Sequence, residues 1–241
     1  MEKERYSQRV TICRFADLGS VQTYVYLLES ANHIFIIDTF CGALSMEPLV
    51  ADLQKKEGKR VLVVNTHFHW DHVWGNCAFA GEVIGHEQCR VLLAENWEAQ
   101  LDKQRKFLRG QVERRLPTIT FAQRLSFPED GIELFYSPGH TRDCISLFDQ
   151  EERILYVGDN LELPLVYVED PDLKTYLKTL ETYETYRPKL IMAGHSTKLT
   201  LDDLRDTISY LKKLQSGTEI ELATEHERQL HQSNLQVVHG S

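Results

Sequence analysis

The residues best equipped for chemistry are crowded into Thr66-His67-Phe68-His69-Trp70-Asp71-His72, an H-x-H-x-D-H cluster. Four such fixed positions arise by chance in roughly one chain per thousand of this composition. Imidazole nitrogens and carboxylate oxygens are the ligands that hold divalent cations. His67 and His69 are two apart, so on extended backbone their rings project to the same side and can grip one ion. Asp71 and His72 lie past the bend and are better placed to hold a second. Three later candidates each follow a glycine: His140 in Pro138-Gly139-His140, Asp159 in Val157-Gly158-Asp159 and His195 in Ala193-Gly194-His195. Glycine lets the backbone turn sharply and approach a buried site closely. A lone buried histidine is more often a hydrogen-bonded core residue than a ligand, but the repetition argues for one convergent site. Phe68, Trp70 and Trp74 could wall a substrate pocket or simply pack. Cys41 and Cys144 follow site residues and read as packing rather than ligation.

The elements that must position these residues are legible as two batches. Val10 to Phe15, Gln22 to Glu29 and His33 to Asp38 read as an antiparallel meander, broken at Gly19-Ser20 and Ala31-Asn32. A helix capped by Ser45 runs to Gly58, and a buried strand follows at Arg60 to Asn65. His67 to Phe79 reads as an irregular segment leaving the strand's carboxyl end, where sheet proteins bind ligands. A strand at Glu82 to Gly85 and a helix from Glu87 to Leu108 follow, then a less regular stretch at Leu116 to Phe127. Ile132 to Ser137, Cys144 to Asp149 and Arg153 to Val157 repeat the meander. Asp172 to Tyr186 is helical in pattern, Leu190 to Ala193 a buried strand and Asp202 to Leu214 a final amphipathic helix. Two batches of strands, each followed by helices, predict an α/β chain of four layers: two mixed β-sheets packed together with helices outside. One domain over 1–215 is expected, with 216–241 as a polar tail whose His226, His231 and His239 are solvated or disordered.

Composition narrows the partners. The 241 residues hold 27 Lys and Arg against 36 Asp and Glu, a net charge of −9, which repels nucleic-acid backbones. No apolar run approaches the roughly 20 residues of a membrane span. The first ten residues are charged and lack the apolar stretch of a secretory signal, so a cytoplasmic protein is expected. Five scattered cysteines with no C-x-x-C pair fit reduced thiols. The partner expected is a small-molecule substrate. Self-association stays open, since the Glu87 to Leu108 helix could face a second copy or solvent.

With these motifs in order, the chain resembles the metallo-β-lactamase superfamily of binuclear metallohydrolases, from Asp38 to His195 and in the element order of its αββα sandwich. The resemblance implies that His67, His69 and His140 bind one metal and that Asp71, His72 and His195 bind a second. Asp159 would bridge the two, and Asp38 would support the site without being a direct ligand. Five imidazoles and two carboxylates suit zinc, with iron or manganese as alternatives. It further implies cleavage of an ester, thioester or lactone by a hydroxide held between the ions, which Asp71 orients and with which it exchanges a proton. Subfamily marks are missing. Glu162 stands where quorum-quenching lactonases carry Tyr, Asp159 and His72 stand where class B1 lactamases carry Cys and Arg, and His69 stands where the diiron flavoproteins need an acid. Specificity would then fall to the Leu161 to Pro171 loop and the Glu95 to Leu125 region. A competing reading is a persulfide dioxygenase on the same fold, with one iron on His67, His140 and Asp159. A third is a noncatalytic metal-binding scaffold.

Overall fold

A computed structural model describes residues 1–19, 21–56 and 58–240; Ser20 of the expected Gly19-Ser20 turn lies outside them. The first sheet runs in chain order through β1 (Glu2–Arg5), β2 (Val10–Leu18), β3 (Val21–Glu29), β4 (His33–Ile37), β5 (Arg60–Val64), β6 (Glu82–His86) and β7 (Ile119–Phe121). Its pairs are antiparallel up to β4 and parallel beyond it. The second sheet is built from β8 (Arg124–Phe127), β9 (Ile132–Tyr136), β10 (Ile145–Asp149), β11 (Ile154–Tyr156) and β12 (Leu190–Met192), antiparallel except for the last pair. The helices are α1 (Ala43–Leu53), α2 (Trp70–Val73), α3 (Glu87–Gln104), α4 (Leu173–Thr185), α5 (Leu201–Ser216) and α6 (Glu225–His239).

Strand alternation sorts side chains into layers. In β4, Phe35 and Ile37 join the core between the sheets, with Leu134, Leu147 and Tyr156 from the second sheet. Their neighbours Ile34 and Ile36 pack outward on Met46, Leu49 and Leu53 of α1. The outer face of the second sheet, through Leu155 and Ile191, is covered by Tyr176 and Leu180 of α4 and Leu204 and Leu211 of α5. Both faces of the central strands are therefore buried, which is why β4 and β5 read as unbroken apolar runs. The result is the expected αββα arrangement of two mixed sheets flanked by helices.

Strand β1 is not anticipated by the sequence reading, the stretch at Leu116 to Phe127 expected to be less regular holds β7 and β8, and three further elements differ. Helix α1 begins at Ala43 rather than after Ser45, because the first amides donate to Gln111 O and Arg109 O at 3.0 and 3.1 Å, and Gly42, at φ 139°, makes the turn into it. The segment after β5 is ordered, with α2 followed by a 3₁₀ turn at Trp74–Ala78. The end of the chain is a helix rather than a solvated tail. Helix α6 carries a Thr224/Glu227 capping box, and its Leu230 and Asn234 are buried. Two of the tail histidines dock it: the Tyr210 hydroxyl and His231 Nδ1 lie 3.2 Å apart, and His239 Nε2 donates to Leu214 O at 3.0 Å. Polarity hid this helix, since only a few apolar positions anchor it. Among the described residues no helix is long and apolar enough to cross a membrane, and all five cysteines are unpaired.

Candidate metal centre

The seven predicted side chains meet at one end of the sandwich, each on a segment leaving a strand. His67 follows β5 and His69, extended at φ −66° and ψ 146°, is the N-cap of α2, so the chain bends between His69 and the pair Asp71 and His72. His140 follows β9, Asp159 follows β11 and His195 follows β12. The ligand atoms of His67, His69, His140 and Asp159 lie within 4.8 Å of one another, as do those of Asp71, His72 and His195. Asp159 Oδ2 joins the two groups: it is 3.6 and 3.8 Å from Nε2 of His67 and His140, and 3.3 Å from Nε2 of both His72 and His195. Asp71 Oδ2 lies 3.4 Å from His195 Nε2 and 3.7 Å from His72 Nε2.

The outer partners fix which nitrogen of each ring faces the centre. His72 Nδ1 meets Asp38 Oδ2 at 2.8 Å, His140 Nδ1 meets Tyr167 O at 2.9 Å, and His195 Nδ1 meets Gln22 O at 2.9 Å. Each partner is an acceptor, so each Nδ1 donates and each Nε2 is left with a lone pair. The Thr66 hydroxyl spends its proton on Asp38 Oδ2 at 2.8 Å and therefore accepts from His67 Nδ1 at 3.1 Å. His69 is reversed, its Nε2 3.1 Å from Glu169 Oε2 and its Nδ1 turned inward. His69 Nδ1 then stands 3.0 Å from His67 Nε2 and 3.2 Å from His140 Nε2. Three nitrogen lone pairs at this separation repel unless a cation lies among them. His72 Nε2 and Asp159 Oδ1 are buried without a hydrogen-bond partner, which is costly in a protein interior. The donor set and the orphaned atoms fit divalent metal ions.

Charge regulation points the same way. Burial pushes the His67 imidazole well below its usual range and lowers His140, which keeps both neutral as ligands must be. Burial works against charge on His72 and His195 as well, but Asp159 and Asp71 overcome it and hold both well above the usual value. Burial likewise opposes charge on Asp159, yet His195, His72 and His67 hold it well below the ordinary carboxylate range. The carboxylates thus demand positive charge at this spot.

Backbone geometry permits the close approach. Gly158 has φ 55°, and a Cβ there would meet the Thr66 side chain at 2.6 Å. A Cβ on Gly194 would overlap Asp159 Oδ1 and stand 2.7 Å from His72 Cε1. Asp38 itself is held at φ 61°, a left-handed conformation that Asp tolerates better than most residues.

A cleft of about 290 Å³ opens over the centre. Leu18, Val21, Trp70, Phe107 and Tyr167 supply its apolar wall, with Trp70 stacked on Phe107 at 5.1 Å between centroids. Trp74 is fully buried packing, and Phe68 packs toward Leu93 and Trp97 rather than walling this cleft. Cys41 and Cys144 are buried outside both ligand groups. Sequence reading missed Thr66, Glu169 and Asn160, whose Oδ1 accepts from His140 N at 2.8 Å. It also missed the carbonyls of Gln22 and Tyr167, which no sequence pattern marks.

With fold and centre in view, the Metallo-beta-lactamase superfamily model matches residues 18–195, and the chain belongs to that family. The structure is similar to a solved metallo-beta-lactamase from Pontibacter korlensis, with TM-score 0.69 and 23% identity over 88% of this chain and 98% of that one. Among curated relatives, the chain is 27% identical to a beta-lactamase-like protein 2 homolog of Drosophila melanogaster (78% of this chain, 63% of that protein). It is 26% identical to a hydroxyacylglutathione hydrolase of Thermosynechococcus vestitus (54% and 49%). It is 24% identical to the acyl-coenzyme A thioesterase MBLAC2 of Homo sapiens (61% and 60%). The chain thus spans about half to three-fifths of the length of these relatives.

Proposed function

We propose that the protein is a hydrolase of a small-molecule ester, thioester or lactone that works with two divalent metal ions, zinc by the softness of its ligands. The observation that carries this reading is the convergence of four imidazole nitrogens, those of His67, His72, His140 and His195, on one buried carboxylate oxygen, Asp159 Oδ2, with His69 Nδ1 against two of them, at the floor of a cleft. His67, His69 and His140 would hold one ion, Asp71, His72 and His195 the other, and Asp159 both. The ions would supply Lewis acidity, polarising a carbonyl oxygen and bringing the pKa of water toward neutrality. One relative named as an acyl-coenzyme A thioesterase supports the thioester member of the class.

The chain's own residues have separable tasks. Asp38 orients His72 and, through Thr66, His67. Asp71 lines the cleft beside His195 and is placed to orient the attacking water and hold its proton. Trp70, Phe107 and Tyr167 exclude water from the acyl group. A mononuclear reading on His67, His140 and Asp159 leaves the second buried group, Asp71, His72 and His195, without a role, so two ions are favoured. The five unpaired cysteines support a reducing, cytoplasmic setting.

The test is a panel of thioesters, esters and lactones assayed with the metal-loaded protein and with the same protein after chelation. Chelator-sensitive turnover is expected, and Asp71→Asn should lower kcat by about 100-fold while retaining most of the metal. Turnover that survives chelation contradicts the proposal. Loss of metal and activity in equal measure in Asp71→Asn removes the role given to that residue.

A further inference from the structure

The cleft has an apolar rim and an acidic wall. Among the described residues, no lysine or arginine lines it. Beyond the seven central side chains it contains two more carboxylates, Glu169 and Glu162. Glu169 is engaged with His69 Nε2. Glu162, three residues past Asp159, is only 8% exposed, and its carboxyl makes no hydrogen bond or ion pair with any described residue. Its carboxyl oxygens are not sealed from the cleft, yet burial of the side chain pushes its pKa up to about 8, so a cation in the cleft would favour its charged form. The side chain sits where the cleft runs into an adjoining hollow formed by Val21, Tyr167 and His226, so it faces space that a ligand can fill.

The charge balance of the walls agrees. Asp71, Asp159 and Glu169 would offset most of the charge of two divalent ions, and Glu162 adds a carboxyl that ionises when a cation meets it, so the walls offer little that is positive for an anionic tail. The cations Lys103 and Arg142 line neighbouring hollows, the first joining the cleft at His69, Trp70, Gln104 and Glu169 and the second at Glu169, so a tail reaching either cation from the cleft passes Glu169. A carboxyl beside Tyr167, in a cleft whose other wall is the Trp70–Phe107 stack, is a setting that favours an ammonium group.

We infer that Glu162 sets the specificity of the cleft by accepting a hydrogen bond from an ammonium group on the acyl part of the substrate, so cationic acyl esters and thioesters are preferred over anionic ones. For the reaction this rests on the hydrolase reading; the binding preference stands independently of it.

The test uses the metal-loaded protein and p-nitrophenyl esters matched in acyl length at several lengths, with the far end ammonium, methyl or carboxylate. The ammonium series should exceed the carboxylate series in kcat/KM by at least about tenfold, the factor expected for a charge-assisted hydrogen bond. Glu162→Gln should shrink that ratio to about threefold or less through the ammonium arm, leaving the methyl series within about threefold of wild type. The same ranking is then read without turnover, as quenching of tryptophan fluorescence by 6-aminohexanoate, hexanoate and adipate, which share the carboxylate that faces the metals and differ only at the tail. Tight binding of 6-aminohexanoate that weakens in Glu162→Gln supports the inference even if no ester is cleaved, in which case the hydrolase reading alone fails. Equal or better use of the anionic series, or a charge preference unchanged in Glu162→Gln, overturns it while leaving hydrolysis intact. If Glu162→Gln does not fold, the wild-type ranking of the three tails decides.

Discussion

Replacing Gly194 by alanine should disable the metal centre without removing a single ligand. The backbone there is pinned on both sides: Gly194 N donates to Gly158 O at 2.8 Å, and Gly194 O accepts from Tyr24 N at 2.8 Å. An added Cβ would overlap Asp159 Oδ1 and lie 2.7 Å from His72 Cε1, about 1 Å inside ordinary carbon contact. His72 cannot easily retreat, since its Nδ1 is tied to Asp38 Oδ2 at 2.8 Å. Asp159 must then move, and with it the oxygen that joins both ligand groups. Overpacking of this kind costs about 1–3 kcal/mol of stability, and a displacement near 1 Å at a reacting centre costs about 100-fold in rate. Gly217, with φ 66° and open space around its Cβ, is the control. Alanine there should cost about 1 kcal/mol through the left-handed backbone and leave the centre untouched. Metal content by elemental analysis, kcat/KM on the best substrate and urea unfolding would be measured on both variants. Gly194→Ala with wild-type metal content and turnover within about twofold of wild type would refute the argument that this glycine exists to admit Asp159.

Two further outcomes follow from groups outside the ligand set. Asn234 of α6 accepts from Val168 N at 2.9 Å and donates to Val166 O at 2.8 Å, pinning the loop whose Tyr167 carbonyl orients His140. Asn234→Ala should cost about 1–3 kcal/mol and also speed metal loss to a chelator; a lowered melting temperature with unchanged metal retention would confine Asn234 to a structural role. Asp130 supplies a pH signature far from the centre. Burial acts to raise its pKa, but the Asn32 amide, the Ser30 hydroxyl and His33 more than offset this, and the carboxyl is lowered. A lowered folded value means the stabilisation is fully present above the ordinary Asp value of about 3.9 and is lost as pH falls through the folded value. Unfolding free energy should therefore drop below about pH 4 in the wild type and drop less steeply in Asp130→Asn; identical acid limbs would contradict this.

Particular residues show what the sequence could and could not reveal. The ligand candidates were legible because chemistry restricts them to His and Asp, and because close approach to a buried carboxylate restricts the residue before His195 to glycine. The αββα layering was legible because β4 and β5 bury both faces. The outer partners were not, since Gln22 and Tyr167 act through main-chain carbonyls that any residue could supply. Glu169 reaches His69 across 100 residues, a distance no local pattern encodes. Helix α6 was obscured by its polar surface, although its Thr224/Glu227 capping box was a readable start signal. The start of α1 depended on Arg109 and Gln111, which come close only in the folded chain.

The buried set around Asp159 is expected to hold two divalent ions. Elemental analysis of the protein purified without added metal, counting zinc, iron and manganese per chain, tests it most directly. Close to two ions per chain, mainly zinc, are expected, falling together when Asp159 is replaced by Ala. A single iron per chain, unaffected by replacing His72 or His195, would contradict it and turn attention to the mononuclear reading on His67, His140 and Asp159.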